Sequence, residues 1–291
     1  MKVLTANRGA TRLAVLAVVL ALGGWLRTLQ PLSLAAAMPW PWATTTLTIY
    51  HADGAYLFPL SRRVPARADL LRAAVEALLA GPPAKTRLTN PLPAGLGLKT
   101  TRVTNGVAHV ELSGPTAALR DTPLGMAAVV ATVMRVPGIS GVVLTVNGAA
   151  VTEAAAPVPL LYYPSPRGLV ALPTAASDPR AALDAFLAGP SSPELTRLPY
   201  DAKLLGAELD DGVLALRFAY TPSVRELALE RPGQMRLLLL GLIATLTGYR
   251  DVRAVQLDFG GQSRLGLGEC SDLLRTPQPR PALLNDERLL R

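Results

Sequence analysis

The side chains that most often do acid–base, nucleophilic or metal chemistry near neutral pH are scarce here: two histidines and one cysteine among 291 residues. His51 stands two residues from Asp53 beside a Gly-containing turn, the best pair of metal ligands on offer. Two ligands fall short of the four that a structural zinc takes. His51 and His109 are therefore expected on the solvated surface, the first at a strand end and the second on the outer side of a strand. The lone Cys270 excludes an intrachain disulfide, a multi-cysteine metal site and an N-terminal lipobox, and reads as an ordinary thiol beside a polar tail. Adjacent carboxylates occur at Asp210-Asp211, in a predicted tight turn where Asp serves its own backbone, and at Asp286-Glu287, in the tail. No Gly-rich phosphate loop follows a strand, no Gly-x-Ser-x-Gly elbow is present, and Gly260-Gly261 fits a strand end. The sequence thus predicts a non-enzyme with no catalytic, cofactor-binding or metal residues and no cofactor.

Composition narrows the classes further. The chain is 50% hydrophobic and 17% charged, which is the profile of a folded protein. Aromatics make up only 5%, so Leu, Val and Ala must fill the cores and no platform for stacking bases or sugars stands out. The net charge is +8, but Lys2, Arg8, Arg12 and Arg27 supply half of it before residue 46, and cations elsewhere alternate with acids. Nucleic acid requires clustered cations, so it is not an expected partner.

Those first cations have another use. Lys2, Arg8 and Arg12 precede an apolar run from Leu13 to Leu26 that Arg27 closes, the pattern of an export signal or a signal anchor. The run is short for a bilayer span, which favours cleavage; Arg27 and the downstream position of Ala35-Ala36-Ala37 favour retention. Either way the basic end stays cytoplasmic and the rest crosses. Residues 38–46 read as a Pro/Trp spacer.

The remainder is a duplication. Arg72 to Pro82 reads RAAVEALLAGP and Arg180 to Pro190 reads RAALDAFLAGP. Upstream, Leu47-Thr48-Ile49-Tyr50 answers Leu160-Leu161-Tyr162-Tyr163, which sets His51 against Pro164. Downstream, Asn105-Gly106-Val107 answers Asp211-Gly212-Val213, setting His109 against Ala215, and Ala131-Thr132-Val133 answers Ala244-Thr245-Leu246. In each copy an amphipathic helix starts at an Asp cap (Asp69 or Asp178) and stops at Gly-Pro (Gly81-Pro82 or Gly189-Pro190). A hairpin with a left-handed turn pair follows, then a second helix and a closing strand. The second helix is expected to bury one face, through Met126, Val129, Val130 and Val133 or through Leu239, Leu242, Ile243 and Leu246. The predicted class is α+β: two tandem two-layer α/β sandwich domains, each a mostly antiparallel sheet with two helices on one face. Expected boundaries are 1–37 signal or anchor, 38–46 spacer, 47–150 first domain, 151–158 Ala/Pro linker, 159–268 second domain and 269–291 polar tail.

The strand ending in Tyr50 or Tyr163, the Leu-Ala-Gly-Pro helix end, the Leu-Pro that follows, the Asn-Gly-Val or Asp-Gly-Val hairpin and the Ala-Thr helix before a strand ending at Gly148 or Gly261 occur twice in one order. Together they resemble tandem GerMN domains, the family named after the sporulation and germination protein GerM. The resemblance implies an extracytoplasmic, non-catalytic domain of the cell envelope, similar in fold to ring-building motifs and used to hold an assembly together. The expected partners are another envelope protein or copies of the chain itself, with the membrane engaged through the N-terminal segment. The alternative is an envelope ligand-binding module taking a cell-wall glycan, peptide or small molecule in a cleft between domains, a use the scarce aromatics count against.

Overall fold

Each repeat opens with a hairpin: β1 (Thr44–Asp53) and β2 (Tyr56–Pro65) in the first, β7 (Leu160–Ser165) and β8 (Gly168–Pro173) in the second. The computed structural model describes residues 43–66, 68–155, 158–260 and 267–290, so the segment expected to direct export and most of the expected spacer lie outside it. After the hairpin the first repeat runs α1 (Leu70–Ala80), β3 (Gly97–Thr104), β4 (Val107–Ser113), α2 (Thr116–Arg120), α3 (Pro123–Val133), β5 (Gly141–Val146) and β6 (Ala149–Ala155). The second runs α4 (Pro179–Ala188), β9 (Leu204–Asp210), β10 (Val213–Phe218), α5 (Pro222–Glu230), α6 (Pro232–Leu246) and β11 (Ala254–Phe259). A 3₁₀ turn (Gly268–Ser271), α7 (Asp272–Arg275), β12 (Gln278–Pro279) and a last 3₁₀ turn (Glu287–Leu290) complete the chain. It is an α+β protein of two tandem domains, as its pattern predicts.

Local signals act where they were read. The Asp69 carboxylate accepts the Arg72 N–H at 3.0 Å, and that of Asp178 accepts the Ala181 N–H at 2.8 Å. Both helices end on a left-handed glycine, Gly81 and Gly189. Asn105 and Gly106, like Asp211 and Gly212, take positive φ, the geometry that lets a two-residue turn follow the twist of its strands. In the sheets β3-β4-β5-β6 and β12-β11-β10-β9, β4–β5 and β10–β11 run parallel because a helical crossover joins each pair.

The hairpins do something a repeat-by-repeat reading does not anticipate. They leave their own repeats and pair with each other in a third sheet, ordered β1-β2-β8-β7, where β2 meets β8 antiparallel at Leu57 and Ala171. Helices α1 and α3 pack on β1 and on each other, and α4 and α6 do the same with β7. The two apolar cores therefore borrow across the repeats. One takes Phe58 and Leu60 from the first hairpin, and the other takes Tyr162, Leu169 and Ala171 from the second. Each fully buried Leu or Phe contributes roughly 1.5–3 kcal/mol, so neither core is complete alone.

Three local expectations change as a result. Both β1 and β7 are buried on both faces, so α3 and α6 are enclosed nearly all round instead of on one stripe, and Met126 is only half-buried. Residues Thr44–Thr46 of the expected spacer already belong to β1, and the Ala/Pro stretch expected as linker begins as β6, bonded to β5. The tail, expected to be polar, is a strap. Leu273, Leu274 and Leu284 are buried, Gln278–Pro279 pairs with β11, and Asn285 wedges where β2 and β8 part. Its Nδ2 donates to the Pro59 and Leu169 carbonyls, both at 2.8 Å, while its Oδ1 accepts the Leu169 N–H at 2.9 Å. The Ser61 N–H donates to the Asn285 carbonyl at 2.7 Å and the Leu284 N–H to the Ser61 hydroxyl at 3.1 Å. A side chain thus replaces the backbone ladder that the diverging strands cannot make.

Candidate functional site

The junction of the repeats gathers the polar groups that sequence reading left apart. The Tyr50 N–H donates to the Thr132 hydroxyl at 3.1 Å, and the Tyr162 N–H donates to the Thr245 hydroxyl at 3.0 Å. These bonds fix the true correspondence, Tyr50 with Tyr162. The expected match to Tyr163 was one residue out, and one residue in a strand is the opposite face. His51 consequently answers Tyr163, not Pro164. The Tyr50 and Tyr162 hydroxyls hydrogen-bond to each other at 2.5 Å, joining the repeats through equivalent residues.

Two arginines serve this pair. Arg280, from the strap, donates from Nη2 to the Tyr162 hydroxyl at 3.0 Å and from Nη1 to the Ala244 carbonyl at 2.6 Å, with its guanidinium 5.5 Å from the centre of the Tyr162 ring. Arg135 reaches the same hydroxyls from the end of α3, and its Nε has no hydrogen-bond partner among the described residues. Burial alone raises the pKa of both phenols. Tyr50 stays raised, with Tyr162 adding to the effect, whereas the Arg280 and Arg135 charges outweigh burial at Tyr162 and lower it. Burial works against the Arg135 charge, but the two tyrosine oxygens more than compensate and its pKa rises. Both tyrosines are 0% exposed. No substrate reaches them, and the cluster acts as a charge-assisted clamp.

Above the clamp lies a half-open cleft of about 530 Å³ between the repeats, lined by Arg135, Ser140, Asp178, Tyr249, Arg250 and Asp251 with apolar Ile139, Val158 and Leu160. Arg250 crosses it to donate to the Ser140 carbonyl at 3.1 Å, and the Tyr249 hydroxyl donates to the Ala176 carbonyl at 2.9 Å. The Asp178 carboxyl is held below its usual range by the Ala181 N–H it caps. Arg250 thus joins the repeats, while Tyr249 and Asp178 bond within the second.

Of the residues singled out in the sequence, His51 and Glu287 come within electrostatic reach of each other. His51 is 0% exposed instead of solvated: β1 continues past it to Asp53, and Arg62 and Glu287 are the charged groups near it. Neither of its ring nitrogens has a partner among the described residues, and burial, with Arg62 adding, pushes its pKa down to about 4. Asp53 pairs with Arg167. His109 is exposed on β4. Cys270 is buried, and burial pushes its thiol up to about 11, the opposite of an activated nucleophile. Asp211 pairs with Arg253 at 2.8 Å, Asp286 with Arg288 at 2.7 Å, and Glu287 with Arg62 at 2.6 Å. Gly260 ends β11 with positive φ, and Gly261 lies outside the described residues. Among the described residues no group of three His, Cys, Asp or Glu could hold a metal ion, and no helix is long and apolar enough to cross a membrane. Sequence reading missed Tyr50–Tyr162, Arg135, Arg280 and Asn285. Only the recurrence of tyrosine in both hairpins could have pointed to the first pair.

The family model described as Germane, "Sporulation and spore germination", matches twice, over residues 48–152 and 160–264. The chain belongs to the Germane family. This tandem Germane-domain chain is similar to the tandem GerMN domains of the sporulation protein GerM from Bacillus subtilis, with TM-score 0.60 and 17% identity over 84% of this chain and 99% of that one. At that identity the likeness concerns the fold. Two further structures also match: the first GerMN domain of the same protein (TM-score 0.28, 19% identity, 37% of this chain, 85% of that one) and a putative lipoprotein from Clostridium perfringens (TM-score 0.26, 16% identity, 39% and 88%). No curated protein matches. The Germane family is a sporulation and germination family, not a known enzyme family.

Proposed function

We propose that this Germane-domain chain is a non-enzymatic, extracytoplasmic envelope protein that acts as an assembly module, joining another envelope protein or copies of itself through domain surfaces. The reading is carried by how the polar groups are spent. The buried tyrosines, arginines and Asn285 all tie the repeats together, while open strand edges are offered outward. Location follows from the basic-apolar-basic start of the sequence, and the structural kinship to a sporulation protein fits an envelope role. Crosslinking in intact envelopes followed by mass spectrometry tests it. A reproducible protein neighbour is expected, and a chain without neighbours argues against assembly.

The second reading is a ligand in the inter-repeat cleft, favoured by its about 530 Å³ and by Arg135, Arg250, Asp178 and Asp251 in its lining. Titration calorimetry with cell-wall glycan fragments and short peptides separates the two. Saturable binding that is lost in Arg250→Ala supports the cleft, and silence leaves assembly.

A further inference from the structure

Among the described residues three sheets have six edges, and those of β1 and β7 are closed by their neighbours. The outer side of β1 is tied by Thr132 to Tyr50 and by a reciprocal pair of bonds between Ala52 and Thr89, both 2.9 Å. That of β7 is tied by Thr245 to Tyr162 and by the Thr196 N–H to the Pro164 carbonyl at 2.8 Å. On β6 the Ala150 carbonyl takes a bond from Arg120, and β12 is only two residues long. Strands β3 and β9, of eight and seven residues, pair on one side only among the described residues. Three of the five exposed large apolar side chains among the described residues lie on them: Val103 (49% exposed), Leu205 (65%) and Leu209 (46%).

Charge distinguishes the two edges. Strand β3 carries Lys99 and Arg102 and no acid; β9 carries Glu208 and Asp210 and no base. Lys99 lies 3.6 Å from Glu111, whereas Arg102, Glu208 and Asp210 have no ion-pair or hydrogen-bonding side-chain partner among the described residues. We infer that the occupant of each edge is a second copy of this chain, β3 of one copy adding antiparallel to β9 of the next. The inference rests on the assembly reading and names its partner. Because β3 and β9 are equivalent strands of equivalent sheets, antiparallel pairing is the arrangement that keeps both helix layers on one side. With Arg102 opposite Glu208, Thr100 faces Asp210, Thr101 faces Leu209 and Val103 faces Ala207. Val103 and Leu209 then remain on the core side of the eight-stranded sheet, where Ala108 and Leu214 already point. Pairing of like edges sets Arg102 against Lys99 and Arg102, or Glu208 against Glu208 and Asp210, which is repulsive. The contact is heterologous, and each copy offers one edge of each kind, so it propagates into a ring or a filament.

The test mixes two differently tagged full-length chains, one with Thr101→Cys and one with Leu209→Cys, under mild oxidation in membranes; the native Cys270 is buried. Crosslinks are expected between unlike chains and not between like ones. Charge reversal with Lys99→Glu and Arg102→Glu is expected to reduce the yield about tenfold, and Glu208→Arg with Asp210→Arg on the partner to restore it. Like-with-like crosslinks, or a yield indifferent to charge reversal, overturn the edge pairing. If unlike crosslinks fail while the protein still oligomerises by light scattering, assembly stands and this edge is wrong. If the chain is monomeric and has no protein neighbour in envelopes, the assembly reading itself fails.

Discussion

Replacing Asn285 by alanine removes three buried hydrogen bonds at once and leaves the Pro59 and Leu169 carbonyls and the Leu169 N–H facing each other across the gap between β2 and β8. An intramolecular hydrogen bond contributes about 1 kcal/mol net, and an orphaned buried donor or acceptor costs about 1–3 kcal/mol. The site is nearly closed, since Asn285 is only 8% exposed, so water restores little of this. The sum is a loss of about 3–5 kcal/mol, a large share of the roughly 5–15 kcal/mol that holds an ordinary domain folded. Urea unfolding followed by circular dichroism measures it, read as a lower midpoint at unchanged slope. Asn90→Ala is the control: its side chain also bonds backbone, at Leu79 and Leu92, but Asn90 is exposed and its φ is negative, so it should cost no more than about 1 kcal/mol. If Asn285→Ala costs no more than the control, the strap does not close the junction and the account of the common sheet is wrong.

Other consequences are measurable in the same way. His51 holds a pKa of about 4 against an ordinary 6.5, so the unfolded chain binds the extra proton between those values. Its contribution is therefore intact above pH 6.5 and is lost as pH falls towards 4, by about 3 kcal/mol. His51→Leu should flatten that decline in pH-dependent melting, and an unchanged profile would clear His51 of the effect. At Gly241 a Cβ would run into the Tyr162 carbonyl, so Gly241→Ala should cost about 1–3 kcal/mol in thermal unfolding, although alanine is the better helix former. Tyr50→Phe breaks the hydroxyl pair and should cost about 1–2 kcal/mol. Tyr162→Phe should cost more, since Arg280 also loses its acceptor, and a double-mutant cycle showing additivity would deny the clamp.

What the sequence disclosed and what it hid follow from the range of the forces. Asp69, Asp178, Gly81, Gly189 and the Asn105-Gly106 turn act within three or four residues, and each appears in the structure doing the work its type implies. Strands β1 and β7 are buried on both faces and show no alternation, so nothing in LTIY or LLYY fixed the register, and His51 was placed on the surface for the same reason. The duplication revealed two copies but not that their hairpins would pair with each other, because nothing in the β2 or β8 sequence marks the edge that meets its partner. Asn285 and Arg280 act on residues more than a hundred positions away, and the polar run around them is indistinguishable from an idle tail.

The central claim is that this Germane-domain chain works by contact with other proteins and not by chemistry of its own. A photo-crosslinking residue at Leu205, on the open β9 edge, and another at Tyr249, in the cleft, test it in living cells. The account predicts protein adducts from Leu205 and few from Tyr249. Adducts to a glycan or a small molecule from Tyr249, with none to protein from Leu205, would contradict it.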